Sequence, residues 1–122
     1  MKDFSEITHA EMVLALAKPG RDIVLSLTND QAHLLHMAVG IAGEAGELLD
    51  AVKKHVIYNK SLDVVNIVEE LGDLEFYMEG LRQSDKVGVS RDATLRMNKE
   101  KLSKRYHTLT YTDTHAQERR DK

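Results

Sequence analysis

Two short stretches of the chain carry carboxylates at the same spacing. One reads Glu44-Ala45-Gly46-Glu47 followed by Leu48, and the other Glu70-Leu71-Gly72-Asp73 followed by Leu74, 26 residues on. Four carboxylates brought together repel one another, and the pKa of at least one rises unless a cation sits among them. A hard divalent ion with oxygen ligands relieves that repulsion. Mg²⁺ suits carboxylate and water ligands, and Mn²⁺ accepts the same set. Because Mg²⁺ keeps positions open for phosphate oxygens, the implied substrate carries a di- or triphosphate, and the implied chemistry is attack of water on phosphorus. An isolated acid pair on a helix more often marks a solvated face. Here the pair is repeated, with a glycine before and a leucine after the second acid each time.

The offset suits two antiparallel helices joined by a short turn. Thr28-Asn29-Asp30-Gln31 has the form of a capping box that starts a long helix, expected to run to about Val56. Tyr58-Asn59-Lys60 is a tight connection. Ser61 is the expected cap of the next helix, to about Ser84, with Asp63 in its first turn. On a wheel of about 100° per residue, Leu34, Leu35, Ala38, Ile41, Ala42, Ala45, Leu48, Leu49 and Val52 form one broad apolar arc. Glu44 edges it, and Glu47 lies about 60° further round. In the following helix Val64, Ile67, Val68, Leu71, Leu74 and Met78 form the arc, Glu70 edges it, and Asp73 is again displaced. Antiparallel packing of the arcs is expected to bring all four acids to one flank. Gly40, Gly43, Gly46 and Gly72 each cost a helix about 0.5–1 kcal/mol relative to Ala. Close backbone approach or room for a bulky ligand would offset that cost.

Elsewhere, Thr8 to Glu11 forms another capping box, opening a short helix that Lys18-Pro19-Gly20 closes. Residues 21–27 are compatible with a strand or a helical turn. Ser90 starts a last helix to about Tyr106, and the polar stretch 107–122 lacks periodicity. The expected organisation is a single all-α domain over 1–106, an antiparallel bundle of about four helices, with a C-terminal tail over 107–122. The 122 residues include no Cys and no Trp, which excludes a disulfide framework and a thiolate metal site. The net charge of −3 argues against nucleic-acid binding, and no apolar run reaches the length of a membrane span or a signal sequence. A soluble, cytoplasmic protein with no membrane or nucleic-acid partner is expected.

On the last helix Asn98, Lys101 and Arg105 share a face beside Leu95, Leu102 and Tyr106. Such a face is commonly just solvated, but its cations also suit a triphosphate outside a metal cage. Lys53 and Lys54 stand one to two turns beyond Glu47 and suit the same role. His33 and His36 fit hydrogen-bonded structural positions or base contacts better than metal ligation, and Tyr58 could stack on a base. A di-iron centre is disfavoured. That class takes Glu-x-x-His on two helices, and Glu47 and Asp73 occupy the histidine slots.

The stretches GIAGEAGELLDAVKK (40–54), EELGDLEFY (69–77) and NKEKLSKRY (98–106) together resemble the MazG-type all-α nucleoside triphosphate pyrophosphohydrolases, from about Gln31 to Tyr106. The resemblance implies a helical bundle that completes its core by self-association as a homodimer or homotetramer. It implies Mg²⁺ held by Glu44, Glu47, Glu70 and Asp73, and hydrolysis of a nucleoside triphosphate to the monophosphate and pyrophosphate. One of Glu44, Glu47 and Glu70, or neighbouring Glu69, would orient or deprotonate water. Substrate contacts would fall to Lys54, Asn98, Lys101 and Arg105. Gly43 stands where many members carry a further acid, which leaves the base assignment and the number of metal ions open. A pyrophosphohydrolase dedicated to dUTP, dCTP or phosphoribosyl-ATP, and a non-catalytic helical interaction module, remain the alternatives.

Overall fold

The computed structural model describes residues 2–119; Met1 and the last three residues of the expected tail, 120–122, lie outside the described residues. A 3₁₀ turn (Phe4–Glu6) precedes α1 (His9–Leu16), α2 (Gly20–Ser26), α3 (Asn29–Val56), α4 (Val64–Arg82), α5 (Arg91–Arg105) and α6 (Asp113–Glu118). The all-α expectation holds, with six α-helices among the described residues where about four were expected. The additions are α2, which makes the ambiguous segment 21–27 helical, and α6, a short helix in the stretch read as aperiodic. No described helix is long and apolar enough to cross a membrane.

Local chemistry sets most boundaries. Thr8 with Glu11, and Thr28 with Gln31, form complete capping boxes. Ser90 caps α5 and Thr112 caps α6. The start of α4 departs from the expectation of Ser61: Asp63 is the cap, its carboxylate accepting from the Asn66 amide at 3.0 Å. A carboxylate at that position also meets the positive end of the helix dipole. Asn59, at φ 55°, turns the chain between α3 and α4, a conformation its short polar side chain tolerates.

Packing concentrates in one place: α3 and α4 lie antiparallel along each other, α5 rests on α6, and the other pairs of elements scarcely touch. The antiparallel register is visible in its contacts. His33 Nε2 lies 2.8 Å from the carbonyl of Gly80, and a Cβ on Gly80 would overlap Met37. Further along, a Cβ on Gly40 would overlap the ring of Tyr77. The covered positions include Leu34, Met37, Ile41, Glu44, Leu48 and Ala51 on α3, and Ile67, Glu70, Leu74, Tyr77 and Leu81 on α4. Their alternating spacing of three and four makes a coiled-coil-like seam.

The seam is narrower than the predicted arcs. Leu35, Leu49 and Val52 on α3, and Val64, Val68 and Leu71 on α4, remain exposed, as do Val39 and Val56. One helix cannot cover an arc that wide, so the apolar face divides into a packed half and an open half. Met37 and Ala51 are the only buried apolar residues among the described ones. At the far end of α4, Arg82 is buried, with Nε 3.2 Å from Glu79 and Nη2 3.7 Å from Glu75. Arg91 at the start of α5 reaches the other oxygen of Glu75 at 3.6 Å.

Candidate functional site

Midway along the α3–α4 seam the apolar layers are interrupted by acids. Glu44 and Glu70 occupy covered positions facing across the hairpin, and Asp73 lies one turn beyond Glu70 at the exposed margin. Carboxylate oxygens of these three residues all lie within 4.8 Å of one another. Glu44 is thus part of the seam rather than its edge. Glu47 does not join the three, although it is near enough to add to the repulsion felt by Glu70. The expected meeting of four acids is therefore a cluster of three with a fourth beside it. Angle alone does not separate the two outer acids, since Asp73 stands at the same three-residue step from Glu70 as Glu47 does from Glu44.

The electrostatics record the crowding. The Glu70 carboxyl is pushed up to about 7, first by a hydrogen bond shared with Glu44, then by burial, then by repulsion from Glu44, Asp73 and Glu47. Its Oε2 is buried and has no hydrogen-bond partner. Three convergent carboxylates, one with an orphaned buried oxygen, are a donor set suited to a hard divalent cation, which would satisfy that oxygen and relieve the repulsion.

The remaining candidate residues divide by location. Lys54 lies on α3 and pairs with Asp50 at 3.0 Å, and Asp50 and Glu47 both hold its ammonium above the usual lysine range. Lys53 places its ammonium 5.7 Å from the centre of the Tyr58 ring. His33 and His36 are structural: one meets the Gly80 carbonyl, and the other sets its ring edge against Tyr77 at 6.2 Å. Asn98, Lys101 and Arg105 stand on α5, which packs on α6 and meets α4 at its root through Arg91 and Glu75. Among the glycines, Gly40 is required by the Tyr77 ring, whereas a Cβ on Gly43, Gly46 or Gly72 would meet nothing in the chain.

Two features escape a sequence reading. One is the Arg82 clasp, whose signal is Glu75 and Glu79 standing seven and three residues before a cation on the covered side of α4. The other is an aromatic group after α5, in which His107 stacks on His115 at 4.3 Å and Tyr106 lies 5.9 Å from Tyr111. Its signal is compositional: two of the four tyrosines of an aromatic-poor chain fall within six residues.

Residues 31–110, from the first turn of α3 to the segment beyond α5, match the family described as the MazG nucleotide pyrophosphohydrolase domain. No curated protein and no solved structure matches the chain.

Proposed function

The chain belongs to the MazG nucleotide pyrophosphohydrolase family, and we propose that it hydrolyses a (deoxy)nucleoside triphosphate between its α and β phosphates, with Mg²⁺ as cofactor. The observation that carries this reading is the meeting of Glu44, Glu70 and Asp73 within 4.8 Å across the hairpin. Their carboxylate oxygens are the hard donors that Mg²⁺ takes. Mn²⁺ accepts the same oxygens. Held there, the ion would supply Lewis acidity, offsetting phosphate charge and making water more acidic.

The chain's own groups do the rest. Glu44, Glu70 and Asp73 would hold the ion. Glu47, one turn on from Glu44 and outside the cluster, orients the attacking water and takes its proton, with Glu69 alongside Glu70. The water oxygen bonds to the α-phosphorus while the bond to the α–β bridging oxygen breaks, and its electron pair leaves with pyrophosphate. Lys54, Asn98, Lys101 and Arg105 bind phosphate and sugar.

The protein acts as a homodimer or homotetramer. Support comes from the open half of the apolar face, where Leu35, Val39, Leu49 and Val52 lie exposed in one chain. A patch of that kind on a small protein marks an interaction surface, and a second copy presents the same patch to it.

A panel of canonical and modified nucleotides, including dUTP, dCTP and phosphoribosyl-ATP, assayed for pyrophosphate release with Mg²⁺, Mn²⁺ or chelator, tests the reading. Release that requires the metal and disappears in Asp73→Asn is expected. Confinement of turnover to one biosynthetic or modified nucleotide would make it a dedicated enzyme. If Mg²⁺ raises the melting temperature of Asp73→Asn as much as that of the wild type, the metal cage is wrong.

A further inference from the structure

Away from the acid cluster, the C-terminal half of α5 and the segment 107–111 enclose a concavity of about 680 Å³, within the size range of small-molecule sites. Leu102, Tyr106 and Tyr111 supply its apolar walls, and Asn98, Ser103 and Thr108 add amide and hydroxyl groups. The two tyrosine rings are tilted by 43° with centres 5.9 Å apart. Behind them, the ring of His115 meets Tyr106 edge-on at 6.2 Å. The Tyr111 hydroxyl donates to Asp113 at 2.6 Å, which ties that ring to the start of α6. The helix that floors the concavity carries six Lys and Arg against two acids, in a chain whose net charge is −3.

Aromatic and aliphatic walls with Lys99 in the lining, and Lys101 and Arg105 on the adjoining face of α5, match a ligand with a planar heteroaromatic part and an anionic part. A mononucleotide has both, and it fits a single concavity, whereas a nucleic-acid strand calls for a longer track. We propose that this concavity seats the base of a nucleotide against Tyr106 and Tyr111, with the phosphates directed along the cationic face of α5. The choice of a nucleotide as occupant rests on the pyrophosphohydrolase reading; the concavity and its charge do not.

The test is titration of the full-length chain with 2′-deoxynucleoside monophosphates and, separately, with inorganic tripolyphosphate, which has no base. Tyrosine ring signals are followed by NMR and affinities by calorimetry. The ring signals of Tyr106 and Tyr111 are expected to shift with the monophosphates. Tyr111→Leu, at a position 67 % exposed and so of little risk to folding, should weaken them by about tenfold, the loss of one stacked base, while tripolyphosphate binds as before. Unmoved ring signals, or equal weakening of both ligands, would overturn the proposal. So would a larger loss from Tyr58→Leu, which would seat the base at the α3–α4 turn, or tight binding of a single-stranded oligonucleotide with none of the monophosphates. If the monophosphates shift Tyr106 and Tyr111 although no nucleotide is hydrolysed, the pocket stands and the hydrolase reading falls. If hydrolysis proceeds without those shifts, the reverse holds.

Discussion

The α3–α4 hairpin and the α5–α6 arm are both helix pairs joined by short connections, yet only the hairpin is packed along its length. The difference lies in what each helix offers its neighbour. In α4, Ile67, Leu74, Tyr77 and Leu81 present apolar groups at three- and four-residue steps, and α3 answers with Leu34, Met37, Ile41 and Leu48. In α5, Leu95 and Leu102, seven residues apart, are themselves exposed, as is Met97 at 67 %. A fifteen-residue helix whose larger apolar side chains stay exposed is not held along a hairpin. On the proposed reading, ligands that must converge on one atom stand on the closely packed pair, while groups that would meet a larger, deformable triphosphate stand on the sparsely packed one.

The sharpest way to break that contrast is to neutralise one acid of the hairpin and one cation of the arm. Asp73→Asn or Glu70→Gln should lower turnover by about a hundredfold or more and abolish the stabilisation given by Mg²⁺, read as kcat and as melting temperature. Lys101→Ala should act mainly on KM, by about tenfold. Equal kcat losses from both would show that hairpin and arm form one rigid site. Next in size, Leu49→Glu places a charge on the open apolar face and should convert the proposed oligomer to a single-chain species, seen by light scattering; an unchanged mass would mean that this face is not the interface.

Smaller effects come from the glycines. Gly40→Ala drives a methyl into the Tyr77 ring and should cost about 1–3 kcal/mol in denaturant unfolding. Gly43→Ala, made in the Leu49→Glu background, should add about 0.5–1 kcal/mol instead. The smallest effect is that of pH on the metal-free protein. The Glu70 carboxyl is raised from 4.5 to about 7, so between those values the folded chain binds more protons than the unfolded one, and stability falls as pH rises. The melting temperature should decline from about pH 5 to 8, level off above that, and show no such decline in Glu70→Gln; a flat wild-type profile would mean that the Glu44–Glu70 contact is not formed in solution.

Much of the hairpin was legible before any coordinates. The 26-residue shift between the acid pairs, the Thr28–Gln31 box and the turn at Asn59 are local features, and each predicts an element or a facing pair without tertiary information. Glu44, Glu70 and Asp73 follow from them. A wheel gives angle but not the width of the covering helix, so it does not separate Glu47, which stands beside the group of three, from Asp73, which lies at the same step of about 60° and joins it. The same limit made the predicted arcs too broad. Asp63 displaced Ser61 as cap because both residues can cap, and two residues of chain decide between them. The arm was the least legible part. The aromatic group around Tyr106 and His115 depends on the chain folding back after α5, and no periodicity in 107–119 encodes that return.

The buried guanidinium of Arg82 governs more than the end of one helix. It braces the corner from which α5 departs, where the amide of Val89 also donates to the Arg82 carbonyl at 3.2 Å. Fourteen residues separate Arg91 from Arg105, a lever about 21 Å long, so a swing of about 10° at its pivot carries the far cation through nearly 4 Å. Small adjustments of that hinge, which leave α3 and α4 undisturbed, are enough to sweep the positive tip across the distance of a phosphate group.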